Sequence, residues 1–261
     1  MLKENCVANV YIKYRDRLER FLGEYAEVQP ADPIALDQTD LAALPSTIGG
    51  QVLASRPGAN FQALFTNFNL LTNGFTWDPS ARGSFTVAKT LETLDGTRTS
   101  GECKVLAAAL LGLWVFPPPL GLGQSRSTPK ASLYRFENYS DDGFISHHPP
   151  IGVRNLPPNI MHPHGNRFDP NTFQPLYQWG DHKVVFYDGK LWDPSYKEIW
   201  NHEEEMVAFD FTGQKHPKDA NAYQVKVVTP SQAKGWLVGQ TMYMVLDLNA
   251  GGWKGPYRAI G

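Results

Sequence analysis

Apolar residues recur at helical spacing in three segments of the first half of the chain. Residues 11–25 alternate aromatic and leucine side chains with charged ones, which predicts a surface helix. Residues 61–71 predict a second helix, and residues 100–115, almost wholly apolar after the first turn, predict a helix buried in the core. Residues 29–59 are rich in Pro, Asp, Gly and Ser and predict a loop with short helical pieces, one of them around Leu41.

In the second half of the chain, apolar and polar residues alternate in the pattern that is typical of strands. Residues 183–187 and 190–193 predict the two strands of a β-hairpin. Further strands are predicted at residues 223–228 and 242–248, with a short helix from Ser231 between them. Because the helices come first and an antiparallel sheet follows, the sequence predicts an α+β fold.

A Pro-rich stretch, residues 117–175, separates the predicted helices from the predicted sheet. It holds most of the prolines and four of the seven histidines, and it is longer than a connection needs. We therefore expect an irregular functional insertion, part of which walls or covers a cleft. With residues 1–60 as an N-terminal helical extension, the chain of residues 1–261 is expected to form a single domain.

Composition and charge exclude several classes of protein. Hydrophobic residues make up 42% of the 261 and charged residues 19%, as in packed globular proteins. Lys and Arg number 24 against 26 acidic residues, so no basic surplus exists to bind nucleic acid, and two cysteines cannot build a disulfide framework. Residues 105–123 carry no charge, but the prolines at 117–119 end any helix too early for a membrane span. The N-terminus lacks the apolar core of a signal peptide, so we expect a soluble protein, cytoplasmic at synthesis.

Cys103 follows Thr99-Ser100-Gly101-Glu102, in which Thr99 and Glu102 have the spacing of a capping box. This pattern predicts a helix N-terminus, with Cys103 in the first turn. Unpaired N–H groups and the helix dipole stabilise an anion at such a position, so we expect the thiol to ionise more readily than that of a free cysteine. The alternative is that Cys103 is a small apolar residue at the start of a buried helix.

Asp188-Gly189 predicts a two-residue hairpin turn, because this pair supplies the positive φ angles that the turn needs. Such a turn makes His182 and Asp193 diagonal neighbours on one face, within reach of a hydrogen bond, whereas a bulged turn would place them on opposite faces. The aspartate would hold the imidazole in one tautomer while its other nitrogen takes a thiol proton. The alternative is a surface histidine beside an Asp-Pro turn.

Two segments together resemble the transglutaminase-like core of the papain-like cysteine enzymes: SGECKVLAAALLGLW and WGDHKVVFYDGKLWDPSY. The resemblance covers about residues 61–200 and implies a papain-like catalytic domain, in which the helix that carries the cysteine packs on an antiparallel sheet. It implies that Cys103 is the nucleophile, His182 the general base and Asp193 the orienting carboxylate.

The resemblance further implies a cysteine-dependent acyl-transfer enzyme that acts on carboxamide or peptide bonds without a cofactor. Its substrate would be a protein or peptide, because protein glutamine deamidases, transglutaminases and peptide amidases use the same triad. Trp179 and Trp77 are candidates for substrate binding. The side chain that completes the oxyanion hole is left open between Trp77 and three asparagines: Asn67, Asn69 and Asn73.

An insertion-rich catalytic domain would also suit a bacterial effector exported without a cleavable signal peptide. Its partners would then be a secretion machine or an immunity-type protein. The alternative from another class is a catalytically inert transglutaminase-like module, which would bind a partner through residues 117–175.

A metal site is the weakest candidate. Imidazole and carboxylate ligands that suit zinc are present in the Pro-rich stretch, at His147, His148, His162, His164 and Asp169. Their spacing fits no compact zinc motif, and both cysteines lie far away in the sequence. We therefore expect no metal here, and a solvated or substrate-facing loop instead.

Overall fold

The fold combines helices with antiparallel sheets, so the predicted α+β class is confirmed. A computed structural model of the chain describes residues 38–77, 87–116, 118–124, 131–138, 144–146, 177–179, 181–206, 209–216, 219–234, 237–247 and 252–258. The surface helix predicted at residues 11–25 lies outside these ranges, as do the five histidines and aspartates considered as metal ligands.

Five helices fill the first half of the described chain, joined to a short 3-10 helix at Leu44–Ser46. They are α1 (Gln38–Ala43), α2 (Ile48–Ala54), α3 (Phe61–Leu71), α4 (Val87–Asp95) and α5 (Cys103–Val115). Helix α3 has the predicted bounds, because Asn60 caps it by accepting a hydrogen bond from the backbone N–H of Ala63 at 3.1 Å. Among the described helices, none has the length and apolar character needed to cross a membrane.

The second half of the described chain supplies most of the strands. The first two strands, β1 (Thr76–Trp77) and β2 (Ser100–Gly101), form a short parallel pair. The strands of a six-stranded sheet are β3 (Ser132–Asn138), β6 (Asp181–Tyr187), β7 (Lys190–Asp193), β8 (Glu198–Trp200), β11 (Leu237–Asp247) and β12 (Gly252–Arg258). Those of a four-stranded sheet are β4 (Phe144–Ser146), β5 (Tyr177–Trp179), β9 (Phe209–His216) and β10 (Asp219–Val227). The six-stranded sheet has the order β12-β11-β3-β6-β7-β8 and the four-stranded sheet the order β10-β9-β4-β5, each with antiparallel neighbours.

The elements predicted after the hairpin are present. Strands β10 and β11 cover most of the residues predicted as strands at 223–228 and 242–248. Between them lies α6 (Pro230–Ala233), where Thr229 and Gln232 form a capping box. A second 3-10 helix, Glu203–Met206, follows β8.

The Pro-rich stretch is not irregular throughout, so that expectation was wrong for β3 and β4. Strand β3 pairs with both β11 and β6 and therefore lies inside the six-stranded sheet. Its side chains alternate between two apolar environments: Leu133 belongs to one buried cluster and Phe136 to another. A strand that is covered on both faces does not alternate between apolar and polar residues. Its short apolar run was therefore not recognised as a strand within a stretch whose overall composition is that of a loop.

Among the described residues, two apolar clusters lie against the six-stranded sheet. Helices α3, α4 and α5 form the larger cluster together with Val185 and Trp192 of the hairpin, and every residue of α5 from 105 to 115 is buried. The smaller cluster contains Val184 and Leu191, with residues of the second 3-10 helix and α6. Neighbouring hairpin residues thus contribute to different clusters, as the alternation of a strand requires.

Candidate active site

Cys103 is the first residue of α5, and the residue before it, Glu102, is the N-cap. The capping box predicted from Thr99 and Glu102 was wrong, since the helix starts later than the pattern suggested and Glu102 makes no side-chain cap hydrogen bond. The carboxylate of Glu102 instead pairs with the ammonium group of Lys104 at 2.7 Å. The thiol of Cys103 is half-buried, on a helix that is otherwise buried from residue 105 onward.

A short parallel pair of strands fixes the backbone before the cysteine. Strand β1 (Thr76–Trp77) pairs with β2 (Ser100–Gly101), so the backbone of Trp77 lies beside Gly101. A Cβ placed on Gly101 would lie 3.2 Å from the ring of Phe75 and 3.4 Å from Val105. Glycine at this position therefore allows the residues ahead of β1 to pack closely against the start of α5.

The hairpin of β6 and β7 has the predicted two-residue turn. Tyr187 pairs with Lys190, and φ is 51° at Asp188 and 71° at Gly189. Positive φ at both central residues matches the right-handed twist of the two strands. This register is the one that brings His182 and Asp193 to the same face.

His182 and Asp193 form the hydrogen bond that the register predicts. The Nε2 atom of His182 lies 2.8 Å from Oδ2 of Asp193, and both side chains are buried, with 2% and 0% of their surface exposed. The other carboxylate oxygen, Oδ1, accepts the backbone N–H groups of Ser195 at 2.9 Å and Tyr196 at 3.2 Å. The turn after β7 thereby fixes the carboxylate that faces the imidazole.

The third predicted residue, Cys103, meets His182 at the start of α5. Burial lowers the pKa of His182, but the charges of Asp193 and Cys103, and hydrogen bonds to both side chains, outweigh it and raise the pKa from 6.5 to about 10. The structure thus brings the thiol, the imidazole and the carboxylate into one cluster. Because Nε2 faces Asp193, Nδ1 is the nitrogen left for the thiol.

Aromatic rings hold the hairpin against the helices. Trp192 packs edge-on to Phe61 and Phe65 of α3, with ring centroids 5.0 and 5.3 Å apart, and its indole N–H donates to the backbone oxygen of Tyr187 at 3.0 Å. On the next turn the ring of Tyr196 meets the imidazole of His182 edge-on at 5.7 Å. These contacts restrict the orientation of Trp192 before Asp193 and of Tyr196 after it.

The other predicted site residues lie in several places. Trp179 ends β5 and pairs with Phe144, so its backbone belongs to the four-stranded sheet and not to the sheet that carries His182. Among the asparagines considered for the oxyanion hole, Asn67 donates to Ser55 at 2.6 Å and Asn73 accepts from Lys197 at 2.5 Å. Asn69 is buried and lines a cavity between α3 and β8.

Sequence reasoning missed the backbone donors that hold Asp193. The signal was present, because an aspartate followed by proline and serine is a common start for a turn in which the carboxylate accepts backbone N–H groups two or three residues on. It also missed the hydrogen bond from Lys197 to Asn73, because the two residues are distant in sequence. Within the part of the chain that the structure describes, no group of three side chains could hold a metal ion.

No family model, curated protein or solved structure matches this chain. A half-buried thiol at a helix start, a buried imidazole and a buried carboxylate can form a thiolate–imidazolium pair, which is a nucleophile beside a proton donor.

Proposed function

We propose that this protein is a cysteine-dependent acyl-transfer enzyme that acts on carboxamide or peptide bonds. The observation that carries the proposal is the position of His182 between Asp193, at 2.8 Å, and the thiol of Cys103. His182 is 2% exposed and its pKa is raised, so it is placed to hold a proton beside the thiol of Cys103. A cysteine that served only to fill the core would need neither partner.

The reaction follows from the groups present. The thiolate of Cys103 attacks the carbonyl carbon, and a C–S bond forms while the carbonyl oxygen takes up negative charge. The backbone N–H of Cys103, at the start of α5, is free to stabilise that oxygen because the first N–H groups of a helix have no partner within the helix. His182 gives its proton to the nitrogen, the C–N bond breaks, and ammonia or an amine leaves a thioester.

Water or an amine completes the cycle. His182 takes a proton from the attacking water, the C–S bond breaks, and the carboxylic acid leaves and ionises in water, so that the thiolate of Cys103 and the protonated His182 are restored. A lysine amine in place of water gives a cross-link by the same steps. Protein glutamine deamidation, transglutamination and peptide amide hydrolysis therefore share this mechanism.

The resemblance to transglutaminase-like enzymes supports the same proposal. In that reading, α5 is the helix that carries the nucleophile and the β6–β7 hairpin carries the base and the carboxylate. Trp77, whose backbone lies beside Gly101, remains the proposed source of an additional oxyanion donor. Trp179 and residues 117–175 are proposed to contact the protein or peptide substrate, and delivery as a bacterial effector is part of the same hypothesis.

Selective alkylation tests the proposal. Brief treatment with iodoacetamide near neutral pH, followed by mass spectrometry, should label Cys103 well before Cys6, and His182→Gln should slow that labelling at least tenfold by removing the imidazolium. The matched control is His202→Gln, at an exposed histidine beyond β8. A Cys103 that reacts no faster in the wild type than in His182→Gln would instead support a catalytically inert binding module.

A further inference from the structure

We propose that Lys197 is a positioning residue, which aligns the turn behind Asp193 with the chain segment that leads to Cys103. It acts through a hydrogen bond in which Nζ of Lys197 donates to Oδ1 of Asn73 at 2.5 Å, across 124 residues of sequence. The inference rests on the proposed function, because it concerns the alignment of the same cysteine, histidine and aspartate.

One end of this hydrogen bond lies on the turn that orients the carboxylate. Lys197 directly follows Tyr196, and Ser195 and Tyr196 donate their backbone N–H groups to Asp193. A displacement of this turn would move the two donors and rotate the carboxylate away from Nε2 of His182. A contact that fixes the position of Lys197 therefore also helps to fix the orientation of the Asp193 carboxylate.

The other end lies on the segment that packs against the start of α5. Asn73 precedes Phe75, whose ring limits the space at Gly101, and Thr76 donates its backbone N–H to the oxygen of Thr99 at 2.8 Å. Gly101 is two residues before Cys103. The Lys197–Asn73 hydrogen bond thus joins the two parts of the chain that supply the nucleophile and its partners.

A cavity lies beside Lys197. A cavity of about 380 Å³ lies between α3 and the start of β8, lined by Phe65 and Asn69 on the helix and by Lys197 and Ile199 on the other side. Side chains that line a cavity do not pack against each other across it. Lys197 therefore borders open space on this side, while the hairpin packs on α3 through Trp192 and Phe65.

The backbone at Lys197 is strained, which is a second and independent observation. Its φ of 60° lies in the left-handed region, which glycine and asparagine adopt readily and which is unfavourable for a long side chain. A lysine at a position better suited to asparagine is expected where the side chain itself is used.

Replacement of Lys197 separates this role from a merely structural one. Lys197→Asn removes the long donor but relieves the backbone, so the melting temperature should stay the same or rise. The rate of Cys103 alkylation by iodoacetamide should nevertheless fall about threefold to tenfold, as expected for one lost hydrogen bond.

Lys197→Arg should keep the rate within about twofold of the wild type, since it can still donate to Asn73. The matched control, Lys234→Asn, alters an exposed lysine beyond α6 and should change neither quantity.

A double-variant cycle gives the decisive outcome. Asn73→Leu should slow alkylation as much as Lys197→Asn does, and the double variant should be no slower than either. Wild-type rates in Lys197→Asn, or losses that multiply in the double variant, would overturn the inference. If wild-type Cys103 were inert, the proposed function would fail, while the downfield N–H signal of His182 in the proton NMR spectrum would still report on Asp193. That signal should shift in Lys197→Asn, and an unchanged signal would overturn the inference by itself.

Discussion

The two carboxylate oxygens of Asp193 have different partners, and this decides how a substitution should act. Oδ2 faces His182, whereas Oδ1 accepts two backbone N–H groups. An asparagine at this position would have a single side-chain oxygen, and that oxygen would accept the two backbone N–H groups. Its NH₂ group would then face Nε2, so a neutral His182 would carry its proton on Nδ1, the nitrogen that should accept the thiol proton.

We therefore expect Asp193→Asn to retain measurable activity that is roughly 10³-fold lower than in the wild type, and His182→Ala to retain none. The imidazole moves the proton, whereas the carboxylate orients it. Release of ammonia or amine from glutamine-containing peptides measures the first effect, and thermal melting identifies variants that fail to fold. Equal activity in His182→Ala and the wild type would exclude the proposed triad.

At the scale of elements, the sequence predicted best those segments whose signals are local. Helix α3 and the β6–β7 hairpin have the predicted positions, because a capping asparagine, a helical stripe and an Asp-Gly turn all act within a few residues. Strand β3 was missed, because its partners β6 and β11 are distant in sequence. The start of α5 was misplaced for a related reason: the residues before Cys103 pair with Thr76 and Trp77 as a strand.

The hairpin turn supports a prediction about elements. Gly189→Val should destabilise the fold by about 1–2 kcal/mol, because a β-branched residue is strongly disfavoured at a φ of 71°. It should also slow alkylation of Cys103, since the turn sets the register that pairs His182 with Asp193. Urea unfolding monitored by tryptophan fluorescence measures the first effect.

Asp188→Asn is the control for this turn, because asparagine tolerates a φ of 51° and should leave stability nearly unchanged. Should Gly189→Val unfold at the wild-type urea concentration, the turn would not be the element that fixes the hairpin register.

At the scale of the whole molecule, the candidate site joins two separate parts of the chain. Residues 100–103 supply the thiol, and residues 182–196 supply the imidazole, the carboxylate and its donors. The sequence predicted Cys103, His182 and Asp193, because each segment has its own motif, but it missed the backbone donors of Asp193. It could not predict the Lys197–Asn73 hydrogen bond, which exists only once helix α3 and the turn after β7 have come together.

Stability of the whole fold should fall as the pH rises from about 6.5 towards 10. Burial lowers the pKa of His182, but Asp193 and Cys103 raise it to about 10, so the folded protein holds a proton that the unfolded chain releases near 6.5. The stabilisation from this group is complete below pH 6.5 and is lost as the pH passes through about 10. Urea unfolding at several pH values measures it.

His182→Gln is the control for the pH dependence, because it removes the titrating group and should flatten the decline over this range. A decline with the same slope in both proteins would show that other groups cause it. In Cys103→Ala one of the two groups that raise the pKa of His182 is absent, so the free energy of unfolding should depend less on pH than in the wild type.

The unbroken burial of α5 from residue 105 to 115 has a consequence for the kinetics of the molecule. Backbone amides in a helix with no exposed face exchange with deuterium only when a large part of the protein unfolds. Those of α5 should be among the slowest to exchange, and the cysteine is attached to that helix. On heating, the helix start should therefore not unfold before the core. Selective labelling of Cys103 should be lost at the same temperature at which the whole protein melts.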